Sequence, residues 1–274
     1  MKPKKYLGQN FLINDSILPT IIKAAEINAG DTVVEVGPGT GILTKALLDA
    51  GAKVFAIEKD FDLIAGLTQK FGNSKNLKIV HQDALWFDET TLPKYKVVAN
   101  LPFNVAAPLI RKFLESSNQP ELMVLMVQKE VAEKITAKPG NSERGILTLS
   151  VEFYGNAEIV ADVSKNSFKP MPKVDAAIIK IEPKKLHTVG VSKQVESKLF
   201  FRIVKAGFAA KRQQIHNSLA ATLRLPKDQV KDILSRANIE PQKRAEDLTL
   251  KDWLNLSLGF YEFNSAAGKL GQSQ

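Results

Sequence analysis

The stretch "DTVVEVGPGTGILTKALLDAG", residues 31–51, combines an apolar run, three closely spaced glycines and a helix-like segment. Its run "VVEV" at 33–36 is rich in β-branched residues and is closed by glycines, which predicts a short buried strand. Residues 40–50 then predict a helix, and Gly51 follows in the position where helices commonly stop. A strand, a glycine-rich turn and a helix in this order indicate the opening unit of an α/β fold.

The segments that follow repeat this alternation of strand and helix. The strand-like runs are 53–60 (KVFAIEKD), 77–85 (LKIVHQDAL), 95–103 (YKVVANLPF) and 121–127 (ELMVLMV), and the helix-like runs are 16–27, 62–71, 105–116 and 128–136. Such alternation predicts a parallel sheet covered by helices on both faces. Two later runs, 158–164 and 176–183, read as strands with no long helix between them, so we expect them to pair as a closing hairpin.

The pattern changes after Pro183. Residues 195–224 form one long helical pattern, broken at most once, and two shorter helical runs follow. We therefore predict a large α/β domain at 1–187, a small all-α domain at 188–264 and a disordered tail at 265–274.

Composition excludes several function classes. Of 274 residues, 44% are hydrophobic and 24% charged, as in globular proteins, and no apolar run is long enough to span a membrane. The basic start "MKPKK" leads into "YLGQNF" and not into an apolar signal segment, so we expect a cytoplasmic protein. There is no cysteine, and His81, His187 and His216 are scattered, so we expect no metal site and no histidine-based triad.

The positive charge is concentrated in one part of the chain. The net charge is +9, and residues 184–251 contain 15 Lys and Arg against 6 Asp and Glu, so this window carries the whole excess. A solvated basic face is the simpler interpretation, but such complete segregation favours a polyanionic partner.

Carboxylates follow the glycine loop at two later strand ends. Gly37, Gly39 and Gly41 lie between strand and helix, where a ligand can approach the backbone closely. Glu58 ends the next strand and could bind both hydroxyls of a ribose, and Asp83 ends the third, where it could accept from an adenine amino group. This combination predicts a nucleoside site.

An acidic residue beside the loop selects among nucleosides. Glu35 precedes the first glycine, and the third glycine comes one residue earlier than in the dinucleotide pattern G-x-G-x-x-G. A carboxylate suits a cationic ligand better than a pyrophosphate. S-adenosylmethionine, with a sulfonium and an ammonium, therefore fits the loop better than NAD.

The run Asn100-Leu101-Pro102-Phe103 ends the fourth strand. An exocyclic amine such as adenine N6 is a poor nucleophile because its lone pair is delocalised into the ring. The Asn100 side-chain oxygen and the Leu101 carbonyl could accept its hydrogens and stabilise the developing charge. Pro102 would fix the backbone, and Phe103 would offer a ring face to an extruded base. A helix cap, a turn proline and a core phenylalanine could produce the same run, but its place beside the nucleoside motifs favours catalysis.

These motifs resemble the family of small-subunit ribosomal RNA adenine N6,N6-dimethyltransferases. The matching blocks are "YLGQNFLIND", "EVGPGTGILT", "AIEKD", "HQDAL", "NLPFNVAAPL", "QKEVAEKITAKPG", "SFKPMPKVDAAIIKI", "FFRIVKAGFAAKRQQIHNSL" and "KRAEDLTLKDWLNL". The glycine block is common to many methyltransferases, whereas the later blocks are much more specific. The resemblance covers almost the whole chain.

The resemblance implies a Rossmann-like class I methyltransferase sheet with S-adenosylmethionine as the cofactor. The cofactor-binding residues it implies are Asn10, Leu12, Gly37, Glu58, Asp83 and Asn100. Catalysis would fall to Asn100, Leu101, Pro102 and Phe103, and Phe103 and Phe168 would enclose the target base. This sequence departs from the family at Phe103, where tyrosine is usual, and at Arg144 and Ile146, where a tyrosine and an arginine are usual. The last two departures leave the RNA contacts of that helix open.

The basic C-terminal region predicts an RNA contact. Lys205, Lys211 and Arg212 lie away from the apolar stripe of the long helical pattern and could follow phosphates. We expect a monomer whose partner is small-subunit rRNA within an immature 30S particle.

Two alternatives remain at this point. One is a non-catalytic factor that inspects immature small subunits, against which the intact Asn100, Glu58 and Asp83 argue. The other is the related 23S rRNA adenine N6-methyltransferase of the antibiotic-resistance type. Leu101, Pro108 and the basic C-terminal region favour the small-subunit type.

Overall fold

The computed structural model describes residue 4 and residues 8–102, 105–184 and 197–266. The strands are β1 Phe11–Leu12, β2 Thr32–Val36, β3 Lys53–Glu58, β4 Leu77–His81, β5 Tyr95–Asn100, β6 Leu122–Gln128, β7 Gly155–Val163, β8 Phe168–Lys169 and β9 Ala176–Pro183. The helices are α1 Leu18–Ala24, α2 Ile42–Asp49, α3 Phe61–Phe71, α4 Ala106–Glu115, α5 Lys129–Thr136, α6 Ile146–Tyr154, α7 Ser197–Phe208, α8 Ile215–Leu223, α9 Lys227–Arg236 and α10 Leu250–Ala266. The predicted strands and helices of the α/β region are therefore confirmed. α10 includes Ser265 and Ala266, which were expected in the tail, and the rest of that tail lies outside the described residues.

Seven strands form one sheet in the order β4-β3-β2-β5-β6-β9-β7. The first five are parallel to one another, while β9 pairs antiparallel with both β6 and β7. The two late strands are thus neighbours, as expected, although β8 interrupts the connection between them. Strands β2 and β5 are adjacent in the sheet but distant in the chain. In parallel α/β sheets ligands bind at the carboxyl ends of such a pair, because the flanking connections diverge there.

A small second sheet was not predicted. β1 and β8 pair antiparallel, with Phe11 opposite Lys169 and Leu12 opposite Phe168. Leu12 and Phe168 are buried in the core cluster that also contains Val33, Leu47 and Val98. This two-stranded ribbon holds the N-terminal segment against the main sheet.

The chain forms two compact units, and their division differs from the one predicted. The first contains residues 1–133 and 154–183, and the second contains 134–153 and 184–274. The change of unit at 184 lies three residues before the predicted division at 187, and segment 134–153 belongs to the helical unit.

Arg144 explains why that segment belongs to the helical unit. Its side chain is fully buried and donates to the carbonyl oxygens of Ala137 and Leu248, at 2.9 and 3.1 Å. It also forms a bidentate ion pair with Glu152, in which Nη1 donates to Oε1 at 2.8 Å and Nη2 donates to Oε2 at 2.7 Å. The buried Arg144 side chain therefore ties segment 134–153 to the rest of the helical unit, and it is not available to RNA.

Replacing Arg144 with alanine is expected to destabilise the protein strongly. Removal of the guanidinium leaves Glu152 and two carbonyl groups without their donor, and loss of one partner of a buried pair costs about 3–5 kcal/mol. Urea denaturation would measure the free energy of unfolding. Arg236→Ala, which removes an exposed bridge to Asp232, is the control and should cost about 0.5 kcal/mol. Equal stabilities for the two variants would contradict this structural role of Arg144.

None of the helices in the described ranges combines the length and apolar character needed to cross a membrane.

Candidate active site

A cavity of about 210 Å³ lies at the carboxyl ends of strands β2, β3 and β5. It brings together most of the residues that the sequence singled out. The predicted site residues that line it are Asn10, Leu12, Gly37, Glu58, Asp83, Asn100, Leu101 and Pro102. Motifs from five separate parts of the sequence thus converge on one cavity.

The two aromatic residues predicted to enclose the target base differ in what the structure describes of them. Phe103 lies outside the described residues, so its stacking role remains a prediction. Phe168 is only 3% exposed and packs into the core cluster opposite Leu12. The stacking role assigned to Phe168 therefore conflicts with its position, because a buried ring has no face to offer a base. Sequence alone could not separate an aromatic that lines a cleft from one that anchors a strand.

The glycine loop and the Asn100 motif form one wall. Gly37 has a positive φ of 66°, and its amide donates to the Ile57 carbonyl at 2.9 Å. A Cβ at this position would lie 3.8 Å from Pro102 Cδ and 4.0 Å from the Asn100 carbonyl oxygen. The two motifs are therefore within van der Waals reach of each other.

Glu58 is a buried acceptor at the end of β3. Its Oε1 accepts from the amides of Lys59 and Asp60, at 2.9 and 2.8 Å, which fixes the carboxylate. Its Oε2 has only a long bond, 3.4 Å, from the Gly39 amide. Burial raises the pKa of Glu58, and the three backbone donors oppose this rise. Oε2 therefore retains capacity to accept from a pair of ligand hydroxyls.

Asp83 is oriented by two donors beyond the end of β4. Its Oδ1 accepts from the Leu85 amide at 3.0 Å, and its Oδ2 pairs with Lys59 Nζ at 2.8 Å. The Lys59 ammonium and the Leu85 amide lower the pKa of Asp83, so the carboxylate stays ionised. Lys59 was missed by sequence reasoning, although it directly follows Glu58. It is the only cation among the described residues that line the cavity.

Asn100 has its amide held in one orientation. Its Nδ2 donates to the Asn10 carbonyl at 3.3 Å, while its backbone pairs with β6 at Met126. Among the described residues, no donor contacts Asn100 Oδ1. The next residue, Leu101, is fixed by a 3.0 Å bond from its amide to the Met126 carbonyl. The side-chain oxygen therefore lies on the cavity wall without a donor from the described residues.

Glu35 is a second carboxyl group in the cavity wall. It is 1% exposed, and its Oε2 and the nearby Thr44 Oγ1 have no hydrogen-bond partner among the described residues. Burial raises the pKa of Glu35 to about 8, and the neighbouring charge of Glu58 adds to the rise while Thr44 opposes it. A buried carboxyl group without a counter-charge is held in its neutral form, and a bound cation would restore its ionisation.

Binding of a cation next to Glu35 is therefore expected to release a proton. With a pKa near 8, Glu35 is mostly protonated at pH 7, so ionisation on binding should release about 0.9 proton there and less as pH rises through 8. Calorimetry of S-adenosylmethionine binding in buffers of different ionisation enthalpy measures this number. Glu35→Gln is the control, and a variant that releases as many protons as the unaltered protein would exclude Glu35 as the source.

The N-terminal segment is fastened over the rim of the cavity. Gln9 Nε2 donates to Asp60 Oδ2 at 2.8 Å, and Lys4 Nζ pairs with Asp60 Oδ1 at 2.6 Å. Asp60 is 4% exposed and also donates its amide to Glu58. Residues Gly8 to Leu12, which include Gln9, line the cavity. Sequence reasoning assigned no role to Gln9 or Asp60, whose only signal is their place within the quoted blocks.

These side chains fit S-adenosylmethionine better than a dinucleotide. Glu58 and Asp83 are acceptors suited to ribose hydroxyls and an adenine amino group, and the unpaired Glu35 suits a cation. Lys59 is already paired with Asp83, so the described lining offers no spare cation for a pyrophosphate. In the described part of the chain, no three acidic or histidine side chains are grouped to hold a metal ion.

In the helical unit the predicted RNA-binding cations are exposed, but their setting differs. Lys205 lies in the last turn of α7, whereas Lys211 and Arg212 lie in the connection before α8. Lys211 Nζ donates to the Ser142 carbonyl. The long helical pattern is broken once, between α7 and α8, a break that the sequence had left open. Ser218 Oγ caps the end of α7 by accepting from Ala210 N and donating to the Ala206 carbonyl.

A family model described as "Ribosomal RNA adenine dimethylase" matches residues 1–261 of the chain. Among curated proteins, the Ribosomal RNA small subunit methyltransferase A of Dehalococcoides mccartyi is 41% identical over 266 residues, 96% of this chain and 90% of that protein. The protein of the same name from Clostridium botulinum is 42% identical over 265 residues, 95% of each chain.

The fold is also similar to those of solved methyltransferase structures. A dimethyladenosine transferase from Plasmodium falciparum has a TM-score of 0.78 and 29% identity, over 94% of this chain and 98% of that one. The 23S rRNA methyltransferase ErmE has a TM-score of 0.70 and 26% identity, over 91% and 99%. The predicted Rossmann-like class I methyltransferase fold is confirmed.

Proposed function

Because the chain belongs to the ribosomal RNA adenine dimethylase family, we propose that it is an rRNA adenine N6,N6-dimethyltransferase that uses S-adenosylmethionine. The observation that carries the proposal is the position of Asn100. Its oriented amide oxygen lies on the wall of the cavity that Gly37, Glu58 and Asp83 also line. The expected acceptor and the expected cofactor site are therefore contiguous.

We propose that the substrate is a pair of adjacent adenosines near the 3′ end of small-subunit rRNA, presented in an immature 30S particle. The similarity to the curated small-subunit methyltransferases, at 41–42% identity, supports this choice. The large-subunit alternative is not favoured, since the ErmE structure is less similar, at 26% identity. A purely structural assembly role is not favoured either, because the acceptors of the cavity are intact.

The reaction that this site supports is a direct methyl transfer. Bound in the cavity, S-adenosylmethionine would supply a methyl group activated by its sulfonium, with a neutral thioether as the leaving group and water as the acceptor of the N6 proton. Asn100 Oδ1 and the Leu101 carbonyl accept from the amino hydrogens and stabilise positive charge as it develops. Pro102 fixes the backbone between the strand end and the turn. No strong base would be needed, because the sulfonium departs as a neutral thioether and the positively charged N6 can lose its proton to water after transfer.

The second methyl transfer can use fewer hydrogen-bond acceptors than the first. A monomethylated amine has one hydrogen left, so only one of the two oxygens can be used in the second step.

We propose that the cofactor is bound by Asn10, Leu12, Gly37, Glu58, Asp83 and Asn100, that Phe103 stacks on the base, and that Lys205, Lys211 and Arg212 contact rRNA phosphates. We further propose that the protein acts as a cytoplasmic monomer.

One experiment tests the proposal. The protein is incubated with methyl-labelled S-adenosylmethionine and with immature 30S particles, 50S particles or naked rRNA, and dimethyladenosine is then mapped. Label at two adjacent adenosines of the small-subunit rRNA is the expected result. Label confined to the large subunit would overturn the substrate, and no label in any sample would overturn the enzymatic function.

A further inference from the structure

The ribbon of β1 and β8 has one buried face and one exposed face. Leu12 and Phe168 are directly opposite each other and are 4% and 3% exposed. Because side chains alternate along a strand, Phe11, Ile13 and Lys169 lie on the other face. Phe11 lines the cofactor cavity, so this face continues the edge of the cavity.

The exposed side of this region combines apolar and basic side chains. We call this surface the β8 rim, and it consists of Ile13, Lys169, Met171, Lys173 and Val174. Its apolar members are exposed at 55%, 59% and 38% for Ile13, Met171 and Val174, which places them among the most exposed large apolar side chains of the described residues.

The two lysines of the rim differ from Lys129 and Lys180 of the same unit in their charge partners. Lys169 and Lys173 are exposed and form no ion pair with a carboxylate of the described residues, whereas Lys129 and Lys180 pair with Asp162 and Glu26 at 2.9 and 2.8 Å. Two uncompensated cations next to apolar surface suit a ligand with phosphates and flat base faces.

The rim is held in place at both of its ends. On one side the Ile13 amide donates to the Ser167 carbonyl at 2.9 Å, and Phe168 is buried. On the other, Asp175 accepts from the Lys129 amide through its carbonyl, at 3.0 Å, and from the Lys165 amide through Oδ1, at 2.9 Å. Fixed ends allow the rim to present its side chains with little ordering cost.

We propose that the β8 rim binds the substrate RNA strand next to the target adenosine, with Lys169 and Lys173 on its phosphates and Met171 against a neighbouring base. The inference rests on the proposed function and deepens it, because it adds a contact in the α/β unit to those expected in the helical unit. A base that enters the cavity beside Phe11 must carry its own phosphodiester backbone past this edge. The rim supplies positive charge at that point.

The test uses a double variant, Lys169→Ala with Lys173→Ala, in the full-length protein. Its matched control is Lys53→Ala with Lys75→Ala, two exposed lysines at the opposite, amino ends of β3 and β4. Filter binding to unmethylated small-subunit rRNA is measured across a range of salt concentrations. Loss of two phosphate contacts should weaken binding at 0.15 M salt about tenfold or more and flatten the plot of log affinity against log salt by about 1.5.

Other measurements separate the outcomes. Affinity for S-adenosylhomocysteine should be unchanged, and the Lys169→Arg, Lys173→Arg double variant should retain RNA binding because it retains charge. Met171→Ala should weaken RNA binding without changing the salt slope. The inference would be overturned if the Lys169→Ala, Lys173→Ala variant had the same RNA affinity and the same salt dependence as the control pair. This result would also be expected if the rim bound a protein partner instead of RNA. The proposed function would fail separately, if the unaltered protein methylated no rRNA.

Discussion

Asn100→Ala is expected to lower kcat at least about a hundredfold, because one preorganised acceptor aimed at developing charge contributes about that much. The side-chain oxygen is lost from the wall of the cavity, while Gly37, Glu58 and Asp83 remain in place. Binding of S-adenosylhomocysteine should weaken much less than kcat falls, because Asn100 is only one of the six residues proposed to bind the cofactor. Single-turnover methylation of unmethylated rRNA at saturating cofactor measures the chemical step directly.

The control for this prediction is Asn118→Ala. Asn118 also uses its amide to hold backbone, donating to the carbonyls of Glu89 and Leu92, but it does not line the cavity. Its loss should lower stability and leave kcat near that of the unaltered protein. An Asn100→Ala protein that keeps full turnover would remove Asn100 from its catalytic role.

Glu58→Ala is expected to weaken binding of S-adenosylmethionine at least about a hundredfold, because two hydrogen bonds to a charged acceptor are each worth about 1.5 kcal/mol or more. The carboxylate is fixed by the amides of Lys59 and Asp60, so it meets the ribose without prior rearrangement. These contacts are the same in the ground state and the transition state. The KM for the cofactor should therefore rise while kcat at saturation changes little.

Isothermal titration calorimetry and steady-state kinetics check both parts of this prediction. Glu130→Ala, an exposed carboxylate on α5, is the control and should leave both constants unchanged. A Glu58→Ala protein that binds the cofactor normally, or one that loses kcat without a change in KM, would contradict the ribose-binding role.

The α/β part of the fold could be predicted because its signals are local. Each strand of the parallel sheet has its own apolar run, and the carboxyl ends of parallel strands necessarily meet at one edge. Glu58, Asp83 and Asn100 all end or directly follow such strands, which is why their convergence could be read from order alone.

Features set by contacts between distant residues could not be predicted. β1 and β8 have two residues each and form only because Leu12 and Phe168 are buried together. The division into α7 and α8 depends on Ser218, which lies after the break that it caps. Arg144 illustrates the same limit, since its partners at 137, 152 and 248 are visible only once the helical unit is assembled.

The most direct test of the account is one distance, measured in a crystal structure of the protein with S-adenosylhomocysteine and an RNA that contains the target adenosine. With the cofactor product between Gly37 and Glu58, the adenine N6 atom should lie about 2.7–3.2 Å from Asn100 Oδ1, as a hydrogen bond requires. A target base seated in the cavity with its N6 atom directed away from Asn100 would contradict the account.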